Sequence, residues 1–184
     1  GSEHKIHTLC GISSLQYFCA RIGLSYENMD VVSLHGRQKS ILGHISYNRY
    51  TFVLTGGDNN AAIILKDLFE NGLGDIKVTA GEMLSMPEER IVSGNVSELL
   101  EHQFDSLTVL MFENINYKNK ESSLLDKDFI RKKIPMTKQE VRWISVNTLN
   151  IKPADIVFDI GAGSGSVAIE MCRKAYKGIV YAIE

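Results

Sequence analysis

Residues 156–165, Ile-Val-Phe-Asp-Ile-Gly-Ala-Gly-Ser-Gly, constrain this chain more than any other stretch. A continuous apolar run (Ile156, Val157, Phe158) suits a central strand covered on both faces. Asp159 follows, and then glycines at every second position, Gly161, Gly163 and Gly165. Glycine is required where the backbone takes positive φ or where a ligand must approach without meeting a Cβ. Ser164 or Ser166 can cap a helix through Val167, Ala168, Met171, Cys172 and Ala175, whose first N–H groups lie unpaired beside the turn. The chain returns as Gly178-Ile-Val-Tyr-Ala-Ile-Glu184, a second strand ending in a carboxylate that can accept both hydroxyls of a ribose. The unit reads as a nucleoside-binding βαβ.

The spacing bears on which nucleoside. Dinucleotide sites read G-x-G-x-x-G and seat a pyrophosphate at the helix N-terminus. Here the order is D-x-G-x-G-x-G, and a carboxylate at Asp159 would repel a pyrophosphate but could hold the ammonium of a methionine moiety, directly or through water. S-adenosylmethionine is therefore favoured, with a dinucleotide and a bare structural turn as the alternatives.

At 184 residues the chain can hold one large domain or parts of two. Its three cysteines, Cys10, Cys19 and Cys172, are scattered, which points away from a disulfide framework and toward a reducing cytoplasm. No pair has metal-ligand spacing, so no metal site is expected. No apolar run has the length of a membrane span, and a net charge of −2 argues against a nucleic-acid footprint over the molecule. The charge is uneven, however. Between residues 116 and 142 eight basic residues (Lys118, Lys120, Lys127, Arg131, Lys132, Lys133, Lys138, Arg142) face four acids (Glu121, Asp126, Asp128, Glu140), a local +4 that leaves −6 elsewhere. That segment is either a solvated face or a patch that meets a polyanionic substrate.

Upstream, residues 5–9 read as a strand end. Ser13 or Ser14 can cap a helix whose apolar positions Leu15, Phe18, Cys19 and Ile22 are closed by Gly23. Strands are expected at 29–34, 50–54, 76–79 and 107–112. A helix capped by Asn59 or Asn60 carries Ala62, Ile63, Leu65, Leu68 and Phe69 and stops at Gly72. Residues 86–90 suit a turn or short helix, and 96–102 a further helical turn or two. The alternation indicates an α/β layered fold over residues 1–112. Residues 113–123 are polar and lack an apolar period, and read as a linker to a second domain over 124–184. There Thr137 and Glu140 form a T-x-x-E capping box for a helix through Val141, Ile144 and Thr148. Such a helix can fold over a cofactor or simply cover the sheet. The histidines His4, His7, His44 and His102 read as surface residues.

Two sets of motifs resemble known families. Gly11-Ile-Ser-Ser-Leu-Gln-Tyr17, Ser33-Leu-His-Gly-Arg37, Leu54-Thr-Gly56, Gly81-Glu-Met-Leu-Ser85 and Pro87-Glu-Glu-Arg-Ile91 are similar to the C-terminal half of the tetrapyrrole methylases, in particular the C5-methylating kind of cobalamin synthesis. Asp128-Phe-Ile-Arg131, Ile134-Pro-Met-Thr-Lys138, Glu140-Val-Arg142 and the Asp159 to Ser166 stretch resemble the start of its C15-methylating, decarboxylating partner, a class I methyltransferase. Their order along one chain resembles the fused precorrin C5,15-methyltransferase family, and the likeness covers most of the sequence.

The resemblance implies a fold class of α/β: the C-terminal α/β domain of a tetrapyrrole methylase linked to the opening βαβ of a Rossmann-like class I methyltransferase. It implies two S-adenosylmethionine sites of unrelated architecture. Ser13, Ser14 and Thr55, with Gly11, Leu54 and Gly56 nearby, would belong to the first; Asp159, Gly161, Gly163, Gly165 and Glu184, with Met136 and Thr137 near them, to the second. The substrate would be a precorrin or cobalt-precorrin, whose acetate and propionate groups give the basic residues Lys132, Lys133, Lys138 and Arg142 a second meaning as a carboxylate-attracting entrance. His35 and Arg37 could bind substrate carboxylates or steer a proton, or could stabilise their own loop. No nucleophilic triad is readable and none is needed, because the corrin precursor supplies its own carbon nucleophile and the protein positions it. The chain departs from the first family at Cys10, where proline is usual. The family's glycine-rich N-terminal domain and the later strands of the class I sheet are absent, so uncovered edges and a homo-oligomer are expected.

Overall fold

The structure is a computed structural model that describes residues 10–35, 40–119, 121–130 and 134–184. The strand expected at 5–9, His4, His7, Arg37, Arg131, Lys132 and Lys133 lie outside the described residues. The chain divides into two compact units, one from residues 1–37 and 52–112 and the other from 38–51 and 113–184.

The first unit is a mixed α/β fold. Its helices are α1 (Ser14–Ile22) and α3 (Ala61–Glu70), and its strands are β1 (Asp30–Ser33), β2 (Tyr50–Leu54), β3 (Lys77–Glu82), β4 (Arg90–Asn95) and β5 (Thr108–Glu113), in the spatial order β1-β2-β5-β3-β4. Helix α1 begins where its sequence dictates. The Ser13 hydroxyl accepts from the Gln16 N–H at 3.3 Å, Gln16 Oε1 accepts from the Ser13 N–H at 3.1 Å, and Gly23 closes the last turn at φ 68°. Asn60 caps α3 by accepting from Ile63 N–H at 3.0 Å. Strand β5 is buried along five successive residues, as its place in mid-sheet requires, and this is why its sequence shows no alternation. The core gathers Phe18 of α1, Phe52 and Val53 of β2, Leu65 and Leu68 of α3, and Leu110 of β5, all fully buried.

Strand β4 was not expected. It pairs antiparallel with β3, from Lys77 opposite Asn95 to Glu82 opposite Arg90, with only residues 83–89 between them and no helix. Its sequence Arg-Ile-Val-Ser-Gly-Asn is half polar and carries a glycine, so neither strand propensity nor period marks it.

The second unit holds α2 (Leu42–Tyr47), a 3-10 turn at Asp126–Asp128, α4 (Gln139–Thr148), α5 (Ser166–Lys174) and the parallel strands β6 (Ile156–Ile160) and β7 (Ile179–Ile183). Several expectations are corrected here. Helix α2 has Ile41 at its N-cap without a side-chain bond, the Ser40 hydroxyl accepting from the Leu42 N–H at 3.3 Å instead, and His44 on it is buried rather than a surface residue. Thr137 does not cap α4; Lys138 is the N-cap, without a side-chain bond, and Thr137 instead gives its carbonyl to Arg142 at 2.9 Å. Val141 and Ile144 are exposed, while Arg142 and Val146 are buried. Neither Ser164 nor Ser166 caps α5, whose N-cap is Gly165. Strand β6 is not covered on both faces. Ile156, Phe158 and Ile160 are exposed and pair in register with exposed Ile179, Tyr181 and Ile183.

The interior of this unit is charged. The fully buried Arg142 donates to the Leu124 carbonyl at 3.1 Å and to Asp126 Oδ1 at 3.2 Å, and lies 4.5 Å from the Phe129 ring. Glu170, 2% exposed, accepts from the Leu124 N–H at 2.6 Å and faces both Arg142 and Arg173. Arg173 in turn donates to the carbonyls of Asn119 and Ser122. The polar stretch before α4 is therefore fastened to α4 and α5 through its own backbone carbonyls.

Candidate functional site

The glycine turn joins β6 to α5. Gly161, Gly163 and Gly165 have φ of 77°, 54° and 73°, a left-handed conformation that side chains with a Cβ resist. The turn is drawn against the end of β7. Gly161 and Ala162 N–H donate to the Ile183 carbonyl at 2.8 and 3.1 Å, and Gly163 N–H donates to Glu184 Oε2 at 2.5 Å. Asp159 and Glu184 thus stand at the same end of two parallel strands with the glycine backbone between them. Asp159 Oδ2 is buried and has no hydrogen-bond partner among the described residues. A carboxylate oxygen in that condition calls for a donor, and a cationic one above all.

Of the other residues expected here, Met136 and Thr137 lie in the irregular stretch just before α4. Lys138 is exposed at the head of that helix. Arg142, expected to attract substrate carboxylates, is corrected: its guanidinium is 0% exposed and is taken up by Leu124, Asp126 and Thr137. A side chain held by so many internal acceptors is a structural ion, not an entrance.

The first unit has a cavity of about 350 Å³ at the ends of β2, β3 and β5. Ser14, His35, Leu54, Thr55 and Gly56 line it, so the fold brings together residues that are far apart in sequence. The Thr55 hydroxyl donates to the Thr108 carbonyl at 2.6 Å and ties β2 to β5 at the cavity floor. Ser13 is spent on the α1 cap, and Gly11 is exposed. Sequence reasoning did not assign Met83, Leu84 or Thr108 to this wall. Met83 sits at φ 49° with its N–H bonded to the Leu107 carbonyl at 2.9 Å, and nothing in its own side chain announces that geometry. Among the described residues there is no group of three potential metal ligands and no helix long and apolar enough to cross a membrane.

Residues 128–184 match the family described as the precorrin methyltransferase domain. A probable cobalt-precorrin-6B C(15)-methyltransferase (decarboxylating) of Methanococcus maripaludis is 43% identical over 60 residues, which is 32% of this chain and 32% of that protein. The precorrin-6Y C(5,15)-methyltransferase (decarboxylating) of Mycobacterium tuberculosis is 26% identical over 179 residues, covering 92% of this chain and 43% of that protein. The chain thus spans less than half the length of these relatives. A precorrin-6Y methylase of cobalamin biosynthesis from Archaeoglobus fulgidus superposes at a TM-score of 0.41 with 26% identity, over 55% of this chain and 45% of that one. The stretch that carries Asp159, the glycine turn and Glu184 therefore lies within the part of the chain that matches the precorrin methyltransferase domain.

Proposed function

We propose that the glycine turn of the second unit takes S-adenosylmethionine and that the cavity of the first unit takes another molecule of it. On this reading the two units serve C-methylation of a precorrin at C5 and C15, with loss of an acetate carboxyl, in cobalamin biosynthesis. The first would be the C-terminal α/β domain of a tetrapyrrole methylase and the second the opening of a class I methyltransferase domain. The observation that carries the reading is the buried, unpartnered Asp159 Oδ2 beside three glycines in left-handed conformation.

The residues fit the cofactor. Asp159 would accept from the ammonium of the methionine moiety, and the glycines leave the approach free of side chains. Glu184 at the second strand tip would accept from the ribose hydroxyls, exchanging its present bond to Gly163 N–H for them. In the first unit Ser14 and Thr55 line the space offered to the donor, and His35 faces the same space. When bound, S-adenosylmethionine supplies a methyl group on a sulfonium. The chain contributes position and charge, and no nucleophilic side chain is asked for. Three cysteines that remain free support a reducing cytoplasm as the place of work.

A second reading, a chain that binds cofactor but turns nothing over alone, is favoured by the exposed ladder of Ile156, Phe158 and Ile160 beside Ile179, Tyr181 and Ile183. Such a face is normally covered, by a second copy in a homo-oligomer or by more protein. Incubation with methyl-labelled S-adenosylmethionine and a precorrin-6 substrate separates the two. Label in the corrinoid supports the first reading; cofactor binding with no label transferred supports the second.

A further inference from the structure

Three donors converge on one carboxylate in the first unit. Glu89 Oε2 accepts from the Tyr17 hydroxyl at 2.6 Å and from the Ser85 N–H at 2.8 Å, and Oε1 accepts from Arg21 Nε at 2.7 Å. Tyr17 and Arg21 are four apart on α1 and so share one face of it. Ser85 belongs to the turn after β3, where Met83 and Ser85 take φ of 49° and 66°. Residues with side chains keep such angles only where neighbours hold them. The approach is close below as well. A Cβ on Gly81 would lie 2.6 Å from the Phe18 ring and 2.9 Å from Leu84 Cδ2, so α1 rests directly on the end of β3.

This seam forms the rim of the cavity. A neighbouring hollow of about 400 Å³ lies against Tyr17 and Ser85, and Ser14 and Leu84 line both spaces. Moving the first turn of α1 away from the turn at residues 83–85 would open the two into one. Glu89 is the group that bridges them, with a side chain only 12% exposed. The Tyr17 hydroxyl first, then the Ser85 N–H and Arg21, hold its carboxyl down to about 2, so it stays ionised at neutral pH.

We propose that Glu89 is a positioning residue for the first-unit cavity, fixing α1 against the turn at residues 83–85 and thereby the Ser14–Leu84 rim that shapes the space for a nucleoside-type ligand. The ligand class rests on the reading given under Proposed function; the positioning role does not. Glu89→Gln keeps acceptor and shape for Tyr17 and Ser85 but loses the charge that faces Arg21, while Glu89→Ala loses all three bonds.

Hydrogen exchange of the 184-residue chain tests the positioning role without any ligand. The expected result is faster exchange in Glu89→Ala confined to residues 11–17 and 83–89, with Glu89→Gln between it and the parent. Unchanged exchange in those segments overturns the proposal, and so does a uniform rise along the whole chain, which marks general destabilisation. Titration with S-adenosylhomocysteine, followed by the amide signals of Thr55 and Gly56, tests the consequence. Affinity should fall about tenfold in Glu89→Ala and less in Glu89→Gln; an affinity equal to the parent's overturns the proposal. A parent chain whose Thr55 and Gly56 signals never move contradicts the ligand reading alone, and the exchange comparison then decides on Glu89.

Discussion

Gly163 gives its N–H to the carboxylate of Glu184 across 2.5 Å, and this bond joins the middle of the glycine turn to the tip of the neighbouring parallel strand. The same carboxylate is the group proposed to meet a ribose. Glu184→Ala should therefore weaken S-adenosylhomocysteine binding by at least about tenfold, the worth of one charge-assisted hydrogen bond. Methionine, which has no ribose, should bind the variant as it binds the parent. Calorimetry with the two ligands checks both halves of this prediction.

Arg142 is fully buried and shares Glu170 with Arg173. Arg142→Met should cost about 3–5 kcal/mol, because it takes away the buried guanidinium that Asp126 and Glu170 face and the donor held by the Thr137 carbonyl. Removing Glu170 as well, in Arg142→Met with Glu170→Leu, should cost more than the single change, because buried Arg173 then loses its carboxylate. Urea unfolding of the three proteins measures the difference. A single variant as stable as the parent would remove Arg142 from the core of this account.

Acid should destabilise the first unit through two carboxylates. Glu89 is held down to about 2 by Tyr17, the Ser85 N–H and Arg21. Burial pushes Glu82 up, but hydrogen bonds from Arg90, the Asp105 N–H and His102 outweigh it and leave the group below its ordinary value. A folded-state pKa below the unfolded one means that the unfolded chain binds protons first as pH falls. The stability these groups give is present above about 4.5, the ordinary value, and is lost as pH falls toward about 2. Unfolding midpoints measured against pH should drop across that window, and Glu89→Gln should flatten the drop.

The apolar ladder of β6 and β7 should bind a hydrophobic dye and promote self-association. Ile160 is 81% exposed, so Ile160→Lys should lower dye fluorescence and shift sedimentation toward the smaller species, while stability changes by no more than about 0.5 kcal/mol. Dye binding equal to the parent's would mean that this face is not the sticky one.

Local signals were legible in the sequence. A serine cap at Ser13 or Ser14, an asparagine cap at Asn59 or Asn60, Gly23 after α1 and the glycine turn are each fixed by chemistry within a few residues, and the structure selects Ser13 and Asn60. What depended on distant partners was not legible. Arg142 looked like part of a basic surface because its acceptors, Leu124 and Asp126, come from a stretch with no period of its own. Strand β4 escaped because its place is set by the β3 edge it pairs with, not by its composition. At the candidate site, Asp159 and Glu184 were readable from spacing, while the wall at Met83 and Leu84 needed the fold to bring it beside Ser14 and Thr55.

The central claim is that the glycine turn between Asp159 and Glu184 holds the methyl donor. Titration with S-adenosylhomocysteine, followed by the amide signals of Gly161, Gly163 and Gly165, tests it most directly. The account predicts saturable shifts of all three, lost in Asp159→Ala while the chain stays folded. Three glycine signals that do not move at saturating ligand, or that move equally in Asp159→Ala, would contradict it.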